Sequence, residues 1–189
     1  RLYDRHGLHI TFSMKRKRLN KKAKISAVKT EVPGEMTFRQ LCDKINKKIG
    51  VERSDEVTHT DKELNLFLRL PRLLLRAGIV FFKWLDYFNL LPGVMIHPDP
   101  MYTSIFIANL GSVGMGAGYH HLYEWGNCPL FVMAGKIEDR PVVENGEIVI
   151  RKMLHLRYTF DERVDDGLTA NFGIVAARKA LENPYEYFG

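Results

Sequence analysis

The chain has 189 residues, 46% of them apolar, and carries 28 Lys/Arg against 22 Asp/Glu for a formal net charge of +6. That length supports one sizeable core, so a single domain over residues 1–189 is expected. Two cysteines, Cys42 and Cys128, have neither a metal-ligand spacing nor the number for a disulfide framework, which points to a reducing, cytoplasmic compartment rather than secretion.

The charge is uneven. Residues 1–50 carry 14 basic and 4 acidic groups, and the remainder 14 and 18. Seven basic residues crowd into Lys15–Lys24, "KRKRLNKKAK". Such a run fits a solvated hairpin tip, and it could also meet nucleic acid, an anionic membrane or a phosphorylated cofactor. No aromatics interleave it and no zinc-finger or RNA-binding motif is present, so nucleic acid is not the expected partner. The start at Arg1 rather than methionine leaves a longer parent chain open and no targeting signal readable.

In chain order, "GLHITFSMK" alternates Leu8, Ile10, Phe12 and Met14 with His9, Thr11, Ser13 and Lys15, the period of a half-buried strand, and "KISAVKTEV" can return antiparallel to it. "MTFRQLCDKINKKIG" opens with Thr37 and Gln40 in capping-box spacing and repeats Leu41, Ile45 and Ile49 at helical intervals, with Gly50 as the expected stop. Residues Val51–Lys62 read as a polar loop. Residues 64–91 are an apolar helical insertion interrupted by Arg69, Arg72, Arg76, Lys83 and Asp86, so no uncharged run reaches a transmembrane length. Pro71 suits a first helical turn. The simpler reading packs this helix on the domain or on another subunit; the gathering of its basic residues also fits an interfacial amphipathic helix.

The second half returns to strands. "YTSIFIANLGSVG" holds one ending at Asn109, Leu110 and Gly111, and "CPLFVMAGKI" a second. "PVVENGEIVI" reads as a hairpin on Asn145-Gly146, and "MLHLRYTF" as a fourth strand before a helix that starts after Gly167. Helices after runs of strands indicate an α+β sandwich on a large mixed sheet with covering helices. His120, His121 and Glu124 are too weak a set to assign a metal, so none is expected. The turn "FDERVDDG" crowds Asp161, Glu162, Arg163, Asp165 and Asp166 together, which makes it either a solvated corner or a site.

"FDERVDDG" at Phe160–Gly167, "IANLG" at Ile107–Gly111, "PLFVMAGKI" at Pro129–Ile137 and "ALENPYEYF" near the C-terminus together resemble the catalytic domain of the dihydrolipoamide acyltransferases of 2-oxo acid dehydrogenase complexes. The likeness covers residues 101–189 well and 7–50 loosely. It implies the fold of chloramphenicol acetyltransferase, a stand-alone divergent homologue without a lipoyl module, and absence of the family's opening strands and first helix. It further implies coenzyme A or acyl-CoA as substrate, and a homotrimer or larger oligomer with its site between subunits.

In that family a histidine is the general base on a thiol, a serine hydroxyl donates to the oxyanion, and the Asp before the glycine pairs with an arginine. Carried over by position, Asp161, Arg163, Asp166 and Gly167 are present as loop residues, Glu162 stands at the histidine position and Ala108 at the serine position. Asn109 and Gly111 fall in the expected substrate loop, although an Asn before a Gly turn more often fixes backbone. A carboxylate with a reference pKa near 4.3 is poorly matched to a thiol near 8.5, so its use as a base requires a dry channel. Two readings follow: acyl transfer through an altered site, with Lys15–Lys24 near the coenzyme A phosphates, or a non-catalytic scaffold or regulatory homologue.

Overall fold

The computed structural model describes residues 5–15, 25–53 and 70–188. Most of the basic run (16–24), most of the expected loop and the first part of the apolar insertion (54–69) lie outside the described residues. Strands β1 (Leu8–Lys15) and β2 (Ile25–Val32) pair antiparallel from Leu8↔Val32 to Lys15↔Ile25. Strand β3 (Ile105–Asn109) lies parallel to β1, β4 (Leu130–Glu144) parallel to β3, and β5 (Glu147–Phe160) antiparallel to β4, giving a mixed sheet of order β2-β1-β3-β4-β5. The helices are α1 (Phe38–Arg53), α2 (Arg72–Tyr87), the short α3 (Gly93–Ile96), α4 (Gly167–Glu182) and the short α5 (Pro184–Phe188).

Helix α1 begins at the expected capping box: Thr37 N–H donates to Gln40 Oε1 at 3.0 Å and Gln40 N–H to Thr37 Oγ1 at 3.3 Å. It does not stop at Gly50. A mid-helix glycine costs only about 1 kcal/mol relative to Ala, and the helix runs on to Arg53. Lys44 and Lys48, one turn apart, donate to the Glu31 and Lys29 carbonyls of edge strand β2 at 2.8 and 2.6 Å. This blocks further pairing at that edge.

The alternation of β1 locates a strand but not its only covered face. Leu8 is half exposed, whereas His9 and Thr11 are buried. The segment 97–104 roofs this polar face. Thr11 Oγ1 donates to Pro100 O at 3.0 Å, and Ser104 N–H and Thr103 Oγ1 both donate to His9 O at 2.9 Å. The Thr11 hydroxyl is thus satisfied by loop backbone and the Thr103 hydroxyl by strand backbone, which makes their burial tolerable.

The second strand, the hairpin and the fourth strand expected in the C-terminal half form two long strands. A register shift between Ala134 and Ile137 bends β4 without ending it, and Asn145 (φ 53) and Gly146 (φ 84) form the expected tight turn into β5. The core lies on the β3–β4 face, where Phe106, Ala108, Cys128, Phe131 and Met133 are buried. Phe106 stacks on Phe131 at 5.0 Å, and His120 on Phe131 at 4.2 Å. Each buried phenylalanine contributes about 2–3 kcal/mol of burial, with some further gain from ring packing.

Helix α2 starts one residue after Pro71. Its tie to the sheet side of the domain is the Tyr102 hydroxyl, which donates to Asp86 at 2.8 Å. Leu75, Phe82 and Leu85 are half-buried, while Leu73, Val80, Phe81 and Trp84 stay exposed. No described helix is long and apolar enough to cross a membrane.

Candidate functional site

The charged turn is ordered by pairing its carboxylates one at a time. Asp161 N–H donates to Pro129 O at 2.9 Å, which pins the end of β5 to the start of β4. The Asp161 carboxylate is held by Arg163, with Nε at 2.9 Å from Oδ1 and Nη2 at 2.6 Å from Oδ2, and it also accepts the Arg163 backbone N–H at 3.0 Å. These contacts hold the Asp161 carboxyl below its ordinary value. Asp165 accepts from Asp166 N–H at 2.9 Å.

Among the described residues Asp166 pairs with no arginine, the partner implied by resemblance. It is the N-cap of α4, accepting from Thr169 N–H at 2.8 Å, and this bond lowers its pKa. A carboxylate here meets orphan N–H groups and the positive end of the helix dipole, so the cap satisfies its charge without a cation. Gly167 opens the helix with no atom within 4 Å of the point a Cβ would occupy, so crowding does not enforce its place.

Glu162 is exposed, and among the described residues it has no ion-pair partner. Arg163 is committed to Asp161. Arg157 instead lies over Tyr119, its guanidinium carbon 3.9 Å from the ring centroid. The turn therefore projects one carboxylate outward from a framework of satisfied ones.

Ala108 sits on β3 inside the core, 8% exposed. Register places Ser13, Ala108, Met133 and Arg157 in one row across the sheet, hence on one face. Phe160 pairs with Leu130, three rows nearer the start of β4, and Glu162 lies beyond it. Three rows along and two strands across amount to roughly 14 Å before the turn is added. Within one chain, Ala108 and Glu162 do not meet around a common reacting atom.

Asn109 fixes backbone: its Oδ1 accepts from Ser112 N–H at 3.0 Å and caps a 3-10 turn. Gly111 is a close-approach glycine, since a Cβ there would run into the Gly135 carbonyl and lie 2.9 Å from Lys136 Cα. Gly135 in turn leaves only 2.5 Å between its would-be Cβ and Ala117 N. Gly111 stands in the expected substrate loop, but its contact with Gly135 is not readable from sequence, although the glycines of "ANLG" and "MAGK" are its signal. His120 stacks on the core, and His121 does not join it in a metal set; among the described residues no cluster of His, Cys, Asp or Glu could hold an ion. Burial pushes the Cys128 thiol up, which leaves it a structural residue rather than a nucleophile.

Residues 97–188 match the family model for the 2-oxoacid dehydrogenases acyltransferase (catalytic domain). Among curated proteins, the succinyltransferase component of the 2-oxoglutarate dehydrogenase complex of Cupriavidus necator is 53% identical over 47 residues, covering 25% of this chain and 11% of that protein. The lipoamide acyltransferase component of the branched-chain alpha-keto acid dehydrogenase complex of Pseudomonas putida is 45% identical over 60 residues, 31% of this chain and 14% of its own length. The chain thus spans only a small part of the length of these relatives.

Among solved structures, a probable dihydrolipoamide acetyltransferase of Listeria monocytogenes superposes with a TM-score of 0.61 at 14% identity, over 96% of this chain and 58% of that one. The dihydrolipoamide acetyltransferase of Azotobacter vinelandii, studied for the roles of a serine, a histidine and an asparagine in its mechanism, gives 0.58 at 15% identity, over 94% and 54%. The cubic core of a pyruvate dehydrogenase multienzyme complex gives 0.52 at 15% identity, over 88% and 50%. The turn, the strand and the tail that carry the likeness all lie within residues 97–188, the segment that matches the 2-oxoacid dehydrogenases acyltransferase (catalytic domain) model, and the sheet and helices take the fold of the dihydrolipoamide acetyltransferase structures, of the chloramphenicol acetyltransferase type.

Proposed function

We propose that this chain is an oligomer-forming acyltransferase homologue that keeps the family's turn and has given up histidine–serine acyl transfer between coenzyme A and a thiol. The observation that carries this reading is the pair of positions at which the chemistry would act. Ala108 is a methyl group inside an apolar core, with no hydroxyl to donate to an oxyanion. Glu162 is a solvated carboxylate rather than an imidazole. An oxyanion donor typically contributes ~3 kcal/mol to the barrier and a general base ~100-fold or more in rate.

A second reading, in which Glu162 is the working base, draws support from its outward position. At roughly 14 Å or more from Ala108 in its own chain, it could act only beside the strand end of another copy, whose cover would dry it. The cubic-core likeness and the family match favour an assembly of copies, and a homotrimer is the simplest form that places one subunit's turn against the next. Coenzyme A or acyl-CoA is the substrate class proposed for such a site.

Acetyl transfer from acetyl-CoA to dihydrolipoamide tests both readings, with coenzyme A binding followed by calorimetry. The first reading expects coenzyme A binding, little transfer by the parent, and transfer gained by the Glu162→His/Ala108→Ser double variant. Ready transfer by the parent that Glu162→Gln abolishes without unfolding would replace it with the second. No coenzyme A binding at millimolar concentration by either protein would leave the non-catalytic scaffold.

A further inference from the structure

Helix α2 presents a surface that the acyltransferase reading does not use. At 100° per residue, Arg72, Arg76 and Lys83 fall within a sector of about 40° on its exposed side. The adjoining sector of about 100° carries Leu73, Val80, Phe81, Trp84 and Phe88, all exposed, with Phe81, Trp84 and Phe88 forming a run of ring contacts. The one acid of the helix, Asp86, is turned inward and accepts from the Tyr102 hydroxyl at 2.8 Å. Every other charge on the helix is cationic.

We propose that this outer face of α2 seats on an anionic lipid surface, the helix lying in the plane of the headgroups. Sixteen residues extend about 24 Å, short of the ~30 Å hydrocarbon core, so the helix cannot span it. A bulky apolar strip with a tryptophan, bordered by arginine and lysine whose stems can lie along it, is the composition that partitions into an interface. Charge argues against one alternative, a two-fold contact of the face with itself. A two-fold contact of the face with itself would set cations against cations with no exposed acid on the helix to answer them, whereas a phospholipid headgroup layer supplies the missing negative charge. Exposed Leu90 and Val94, just beyond the helix, continue the apolar surface.

Cosedimentation of the full chain with vesicles tests the proposal. Phosphatidylcholine vesicles with 30% phosphatidylglycerol should bind the protein, and pure phosphatidylcholine or 0.5 M NaCl should release it. The triple variant Arg72→Glu/Arg76→Glu/Lys83→Glu, and separately Phe81→Ser/Trp84→Ser, should each lower the partition coefficient at least tenfold with far-UV circular dichroism unchanged. A Trp125→Phe variant leaves Trp84 as the reporter, and its emission should move to the blue on mixing with the anionic vesicles. Absence of binding, binding indifferent to both sets of substitutions, or an unmoved Trp84 emission would overturn the proposal. Loss of a defined oligomer on Phe81→Ser/Trp84→Ser, without vesicle binding by the parent, would overturn it in favour of a contact between copies.

Discussion

Arg163 closes on Asp161 across the intervening Glu162, in a two-point ion pair that leaves the middle carboxylate of the turn pointing into solvent. Asp161 is largely covered while Arg163 is open, at 17% and 83% side-chain exposure, so water screens the pair from one side. Because the Asp161 pKa is lowered in the folded chain, the pair stabilises above the unfolded carboxyl value and that contribution is lost as pH falls through the folded one. Asp161→Asn should therefore lower Tm at pH 7, with the gap to the parent shrinking toward pH 3. A gap that stays constant from pH 7 to pH 3 would show that the carboxylate's charge is irrelevant and that only the backbone contacts hold the turn.

Asp166 calls for a different test, because its partner is a backbone N–H. Loss of an N-cap from an exposed helix end should lower Tm by roughly 2–4 °C in a chain of this size. Asp166→Ala should show that drop and Asp166→Ser, which restores a capping oxygen, should recover most of it. An arginine tie would behave otherwise, with serine no better than alanine.

The turn shows what the sequence could and could not convey. "FDERVDDG" identified the place and the type of element, since a strand, a cluster of charge and a helix start are local signals. It did not say which carboxylate would pair with which donor, because Asp161, Glu162, Asp165 and Asp166 all lie within three residues of Arg163 and spacing does not rank them. The capping box at Thr37 and Gln40 and the Asn145-Gly146 turn were likewise legible, being set by residues three or fewer apart. The coverage of β1 was not. His9 and Thr11 are buried by a segment some 90 residues away that brings a carbonyl to Thr11 and donors to the His9 carbonyl, and alternation carries no record of that partner. Ala108 and Glu162 were singled out only by their positions in the family resemblance, since no local pattern marks either residue.

The close approach of Gly111 and Gly135 makes a sharper prediction than any of the polar contacts. The 3-10 turn after β3 lies against the bend of β4, and Met115 O accepts from Lys136 N–H at 2.8 Å across that junction. A methyl group at Gly111 would strike backbone rather than a movable side chain, so Gly111→Ala should cost at least ~1–3 kcal/mol in urea unfolding. Gly146→Ala makes a useful contrast. It meets no atoms, so any cost there comes from its φ of 84° alone. Equal effects at Gly111 and in a site with open space and ordinary φ, such as Gly78, would mean that the packing is not as tight as described.

Past the bend at Ala134, β4 and β5 leave the rest of the sheet and, among the described residues, pair only with each other, because β3 ends at Asn109↔Ala134. Register puts Ile137 opposite Leu154, Pro141 opposite Ile150 and Val143 opposite Ile148, all on one face, interrupted by the Asp139–Lys152 ion pair. Ile148 and Ile150 are 77% and 75% exposed. A two-stranded ribbon is marginal by itself in water, and one that shows such a face is an interaction surface rather than a finished element. Lysines of α1 already occupy carbonyls of the opposite edge, β2, so the ribbon and the β5 edge are where self-association is expected. Ile148→Asp/Ile150→Asp should then reduce the mass measured by light scattering from an oligomer to the 21.8 kDa of one chain, with the circular dichroism of the sheet retained. A parent chain that is already monomeric at micromolar concentration would show that the ribbon stands alone in solution, and an oligomer untouched by both aspartates would move the interface elsewhere on the fold.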